Sequence, residues 1–181
     1  MDRAQRHLVA KAIAEFTHER LISPVAVAGQ ERWQVDTDRS SYSFTGRVHA
    51  LEHWVVDAAS LRRTVGGVEV PLDAQELVIE LAPVLGIPDQ LLPTYLEEIA
   101  STLAAGAWKL CHRAVPVADL VEADHQTIEA AMTEGHPGFV ANNGRIGFSL
   151  DDYRAYAPES GADVRLHWVA ARRTLTRLSV G

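Results

Sequence analysis

Residues 61–86, "LRRTVGGVEVPLDAQELVIELAPVLG", contain the change of period on which the fold class turns. As far as Val70 the apolar residues alternate as in a strand, and Gly66-Gly67 has the composition of a two-residue hairpin turn. Pro71 interrupts the pattern. Beyond it the period becomes helical, with Asp73 and Glu76 at the spacing of a capping box and Gly86 placed as a left-handed stop.

Upstream, "RWQVD" (32–36), "SYSFTGRVHAL" (41–51) and "HWVVDA" (53–58) keep the period of two, which predicts an antiparallel meander with one buried face. The chain opens on a helix over 3–22, its stripe formed by Leu8, Val9, Ala12, Ile13 and Phe16, and Ser23-Pro24 ends it. Downstream, a helix over 88–112 carries Leu92, Tyr95, Leu96, Ile99, Leu103 and Leu110 on its apolar side. Gly106 weakens that helix by about 1 kcal/mol against alanine. Pro116 suits the first turn of a third helix running to Thr133. "LDDYRAYA" (150–157) reads as a short helix and "DVRLHWVAARR" (163–173) as a final strand. The expected fold is one α+β domain over 1–181: an antiparallel meander packed with helices, a glycine-rich loop and a C-terminal strand.

Composition narrows the function. The chain has 181 residues, 17 basic against 24 acidic, for a net charge of −7, which argues against a broad nucleic-acid footprint. No apolar run reaches the ~20 residues of a membrane span, and the N-terminus lacks the apolar core of a signal peptide. Cys111, the one cysteine, excludes an internal disulfide and suits a reducing cytoplasm; it is expected to be buried within its helix. Trp54 and Trp168 are expected in the core. His49 and His53 fall in a strand-patterned region without a third ligand nearby, so no metal site is expected.

Chemistry concentrates in "EGHPGFVANNGRIGF" (134–148). Gly135, Gly138, Gly144 and Gly147 could expose several backbone N–H groups in one anion-binding concavity. Arg145 adds a planar fork for phosphate or carboxylate, His136 a group that exchanges protons near neutrality, and Asn142 and Asn143 amide donors. The competing reading is a structural Ω-loop with Arg145 paired to Glu134 or Asp151. Neither the P-loop nor the Rossmann pattern is present.

Four segments together resemble the IucA/IucC family of siderophore synthetases, which work independently of non-ribosomal peptide synthetases. They are "KAIAEFTHERLISP", "LPTYLEEIASTLAAGAWKL", "MTEGHPGFVANNGRIGF" and "DYRAYAPESGADVRLHWVAARR". The likeness is greatest to the desferrioxamine-type branch. The loop has Phe139-Val140 and Asn143 where many relatives carry a second His-Pro pair and a lysine, which argues against a citrate-using relative.

The resemblance implies an ATP- and Mg²⁺-dependent, AMP-forming ligase. It activates a carboxylate as an acyl-adenylate and condenses it with an amine or hydroxylamine. Carried over by position, His136 and Arg145 are the expected catalytic residues. Gly135, Asn142, Asn143, Gly144, Gly147, Ser101 and Thr102 are the expected nucleotide contacts. A helical Ser-Thr pair bonding back to carbonyls is the simpler account of Ser101 and Thr102.

Family enzymes are built like a cupped hand of thumb, fingers and palm, and this chain matches the thumb. The resemblance therefore implies remaining synthetase domains as partners, a cytoplasmic setting, no nucleic acid or membrane, and little activity for these residues alone. A homodimer is compatible with it. The alternative is a stand-alone, non-catalytic binding or dimerisation module.

Overall fold

The computed structural model describes residues 1–29, 31–113, 115–132, 134–136 and 138–177. Helix α1 (Asp2–His18) leads into strands β1 (Val25–Ala26), β2 (Trp33–Asp36), β3 (Ser41–Phe44), β4 (Gly46–Val48), β5 (Trp54–Val56), β6 (Arg62–Val65) and β7 (Val68–Val70). Four further helices follow: α2 (Ala74–Leu85), α3 (Leu92–His112), α4 (His125–Ala131) and α5 (Leu150–Tyr156). The α+β class is as the sequence predicts.

The sheet is antiparallel throughout but departs from a simple meander. Its order is β1-β2-β3-β6-β7, and β4-β5 form a separate hairpin inserted between β3 and β6. The departure occurs at Thr45, whose N–H donates to Ser60 Oγ at 2.8 Å. Gly46 then brings the chain so close to β5 that a Cβ would lie 2.9 Å from the Val55 carbonyl oxygen. The hairpin so displaced packs on α1. Gly66 and Gly67 both have positive φ (57° and 81°), as the β6–β7 turn requires.

One core joins sheet and helices. Leu8, Val9, Ile13 and Phe16 of α1 meet Leu77, Val78 and Leu81 of α2, Ile99 and Leu103 of α3, and Val35, Tyr42, Phe44 and Leu61 from the sheet side. Asp73 caps α2 by accepting from the N–H groups of Gln75 and Glu76, and Gly86 ends it at φ 66°. The Glu76 side chain lies instead 3.6 Å from Arg63.

A polar joint fixes α2 to the sheet. The Glu80 side chain is fully buried and accepts from Thr37 Oγ1 (2.8 Å), Ser40 Oγ (2.8 Å), Tyr42 OH (3.2 Å) and Arg63 Nη2 (2.7 Å). Burial pushes its carboxyl up, but the bonds from Ser40, Thr37 and Arg63 outweigh this and hold it below the ordinary value of 4.5.

Four sequence expectations are corrected. The predicted third helix is a 3₁₀ turn (Val117–Leu120) followed by α4, because Asp124 restarts the chain as an N-cap, accepting from Thr127 N–H at 2.8 Å. The alternating stretch 163–173 belongs to no ladder among the described residues. Alternation encodes strand propensity, but no edge of the sheet lies alongside to supply the bonds. Trp168 is accordingly 89% exposed rather than in the core, and Trp54 is half-buried, edge-on to Trp33 at 4.9 Å. Cys111 is exposed, since the last turn of α3 extends past the core.

Glu80→Ala should destabilise the fold by about 3–5 kcal/mol, because it leaves Arg63 buried without its counter-charge. The sign with pH follows from the lowered Glu80 carboxyl. Its contribution is complete above the unfolded value of 4.5 and disappears as pH falls through the lower folded value. Urea titrations at pH 7 and below pH 4 should show the gap between wild type and Glu80→Ala narrowing on acidification; a constant gap would refute the assignment.

Candidate functional site

The glycine-rich loop is fastened to the helices at several points. Val140 is buried in the main core. Gly144 presses on α3 where a Cβ would stand 2.9 Å from Glu98 Cβ and 3.1 Å from the Glu98 Cα and carbonyl oxygen. The Arg145 N–H donates to Ser101 Oγ at 3.1 Å, and Gly147 turns the chain at φ 80°. Ser101 therefore holds the loop to α3, by a contact that neither the nucleotide reading nor the back-bonding reading anticipated.

This packing changes the role of the glycines. Gly135 is tight against Asn142, and Gly144 against Glu98. The N–H of Gly138 goes to His136 Nδ1 (3.1 Å), that of Gly144 to the Ala141 carbonyl (3.0 Å) and that of Phe148 to the Arg145 carbonyl (3.1 Å). Of the four glycine N–H groups expected to form an open concavity, those of Gly138 and Gly144 are thus engaged within the protein.

Arg145 has contacts on two sides. Its Nη2 donates to Glu159 Oε1 (2.7 Å) and Oε2 (3.0 Å), and its guanidinium lies over the Tyr153 ring, 5.4 Å from the centroid. Its partner is Glu159, not Glu134 or Asp151. Nη1 of Arg145 and the Tyr153 hydroxyl are both buried, and neither meets good hydrogen-bond geometry with another group among the described residues. Burial, with the Glu159 charge beside it, pushes the Tyr153 phenol up to about 12, so it stays a donor at neutral pH. His136 belongs to a different part of the loop. Its ring is exposed and tilts against Phe139 at 4.7 Å, and its carbonyl accepts from Lys11 Nζ at 3.2 Å.

A cavity of about 330 Å³ opens beside this loop between α1 and α3. Thr102, Asn142 and Asn143 line it, so these three predicted contacts converge, while Ser101, His136, Arg145 and Gly147 stay outside its lining. Sequence reasoning missed its basic residues: Arg3, His7 and Lys11 from α1, with Lys109 from α3 and Arg113 at its C-cap. The signal was present as spacing. Arg3, His7 and Lys11 recur every four residues, so they project from one face of α1, and Arg113 follows Lys109 by four at the end of α3.

Lys109 is 3% exposed, and desolvation lowers its ammonium below the usual lysine range despite nearby Glu134 and Glu159. With the Asn143 amide oriented to suit its neighbours, its oxygen accepts from Lys109 Nζ (3.1 Å) and its nitrogen donates to Glu159 Oε1 (3.3 Å). That amide connects the cavity wall to the Arg145–Glu159 pair. Glu134, the one acid among the lining residues, is 2.9 Å from His7 Nε2; the bond raises the imidazole and lowers the carboxyl.

Comparison with known proteins places this geometry. Residues 124–181 match the IucA / IucC family model. The chain is 49% identical to putrebactin synthase of Shewanella sp. (strain MR-4) over 97% of its own length and 28% of that protein's. It is 28% identical to aerobactin synthase of Escherichia coli, covering 95% of this chain and 29% of that one. The structure of aerobactin synthetase IucC from a hypervirulent Klebsiella pneumoniae superposes with a TM-score of 0.81 at 28% identity, covering 96% of this chain and 31% of that one. The chain thus spans less than a third of the length of these relatives. No helix among the described residues is long and apolar enough to cross a membrane. Sequence, fold and loop agree: the chain belongs to the IucA/IucC family of siderophore synthetases.

Proposed function

We propose that these residues form the thumb-like, N-terminal part of a cytoplasmic synthetase. This enzyme uses ATP to join a carboxylate to an amine or hydroxylamine, in the assembly of a desferrioxamine-type hydroxamate siderophore. The observation that carries the reading is Arg145. It is held by a carboxylate on one nitrogen and an aromatic face beneath, which leaves Nη1 buried and without good hydrogen-bond geometry among the described residues. A guanidinium held in one orientation is a preorganised donor to developing negative charge once an anion displaces the groups that cover Nη1. The likeness to putrebactin synthase supports the siderophore class, and the exposed apolar residues Val164, Leu166, Trp168 and Val169 suit packing against further protein.

The residues here fit part of a nucleotide site. Arg145 can clamp one phosphate or carboxylate group, and His136, exposed at the loop surface, can orient or polarise the acyl group. ATP, when bound, supplies the adenylyl group that activates the carboxylate. The rest of the phosphate chain needs donors from the remaining domains. Among the described residues no three His, Cys, Asp or Glu side chains converge as a metal cluster would; a magnesium ion beside ATP would be held mainly by phosphate and water, with carboxylates from the remaining domains.

A chimera tests this directly, with the present chain replacing the matching stretch of putrebactin synthase. The chimera should catalyse ATP–pyrophosphate exchange, whereas residues 1–181 alone should not, since they provide only one edge of the anion site. Exchange by the isolated chain at the chimera's rate would exclude the reading, and a folded but silent chimera would favour the non-catalytic module.

Within the active chimera, Arg145→Ala should cost about 2–4 kcal/mol of transition-state stabilisation, the scale for one preorganised donor. Arg145→Lys should restore little, because a point charge does not reproduce the fork. If Arg145 only secures the loop through Glu159, the alanine variant will melt earlier but exchange pyrophosphate normally per folded molecule.

A further inference from the structure

The cavity between α1 and α3 shares Thr102, Asn142 and Asn143 with the expected nucleotide contacts, but its cations and its aliphatic wall are not used by the adenylation reading. In a chain of net charge −7, five basic residues line it against one acid, and that acid is already engaged by His7. The charge is not all solvated at the rim, since Lys109 is 3% exposed. Thr102 and Asn142 add polar side chains to the lining. Between these polar groups the wall is aliphatic, formed by Leu8, Leu103 and Leu110. The volume of about 330 Å³ lies at the lower end of the range for small-molecule sites.

Gly106 accounts for part of that space. It sits in the middle of α3 and lines the cavity, and a Cβ built on it would meet no heavy atom within 4 Å. Neither close packing nor a positive φ calls for glycine there, although glycine weakens the helix. What it preserves is open volume beside Lys109.

We infer that this cavity is a binding site for an aliphatic carboxylate, with the acid group received by Lys109 and the rim cations and the hydrocarbon chain lying along Leu8, Leu103 and Leu110. An inorganic polyanion would find the charge but leave the aliphatic wall unsatisfied. A neutral lipid-like molecule would match the aliphatic wall but make no use of the cations at the rim. The site is separate from Arg145 and His136, and its occupancy does not depend on adenylation.

The 181-residue chain can be titrated with hexanoate by isothermal calorimetry, with hexanol and inorganic pyrophosphate as controls. Hexanoate should bind saturably, and each control at least tenfold more weakly. Gly106→Leu extends a side chain into the open space. It should weaken hexanoate at least tenfold while leaving the melting temperature equal or higher, since a helical glycine has been removed. Lys109→Met should abolish the preference for hexanoate over hexanol. Absence of saturable hexanoate binding would overturn the proposal, as would unchanged binding by Gly106→Leu. Equal or tighter binding of pyrophosphate would make this a polyanion site, and equal binding of hexanol would remove the role of the charge; either result also refutes it.

Discussion

The buried carboxylate of Glu80 is the constraint on which the rest of the arrangement depends. Hydrophobic contact alone would let α2 slide over the sheet, because dispersion and burial are non-directional. Four donors from three places in the β region meet the two Glu80 oxygens: the β2–β3 turn through Thr37 and Ser40, β3 through Tyr42, and β6 through Arg63. Arg63 also donates to Ser40 Oγ at 3.0 Å, and its guanidinium lies 5.8 Å from the Tyr42 ring centroid. Such a network has essentially one geometry in which every member is satisfied. It sets the position of α2, α2 packs on α3, and α3 carries both the loop and the cavity.

Local signals in the sequence translated well where a residue acts on its own backbone. Asp73, Gly86 and the Gly66-Gly67 pair each settle a few dihedral angles, and each appears in the role its chemistry predicts. The stripe on α1 is equally direct, because a period of 3.6 is a property of one element. Expectations failed where a partner had to be supplied from elsewhere. Strand alternation at 163–173 has no ladder, and the meander is interrupted because Ser60, fifteen residues away, takes the Thr45 N–H. Asp124 shows that one capping side chain can divide a segment whose composition otherwise permits a single helix.

The candidate site was legible in its residues but less so in their roles. Four glycines in a loop suggest an open nest of N–H groups, and the same four residues are compatible with close packing. Contact with Glu98 and Asn142 decides for packing at Gly144 and Gly135, and sequence gives no sign of such neighbours. Arg145 was recognisable as an anion-binding group. Its dependence on Glu159 and Tyr153 was not, because i+14 and i+8 are not neighbours on any regular element. The two cationic ladders on α1 and α3 are the opposite case: each is explicit at a spacing of four, yet only their meeting across one cavity gives them meaning.

That meeting also explains why the loop needs such firm anchorage. Lys109 is buried between like charges, with Arg145 and Lys11 both disfavouring its ammonium, while Glu134 and Glu159 favour it. The two acids are brought there by the loop and by the segment after α5, not by α3 itself. If the loop withdrew, the cations of α1 and α3 would lose their counter-charges in a poorly solvated space, which is costly for each buried charge. The loop is therefore held by electrostatics as well as by Val140 and the Ser101 bond. Asn143, reaching Lys109 on one side and Glu159 on the other, links the cavity to Arg145 through a single amide. A change in the charge facing Lys109 would be transmitted through that amide to the carboxylate that orients the Arg145 guanidinium.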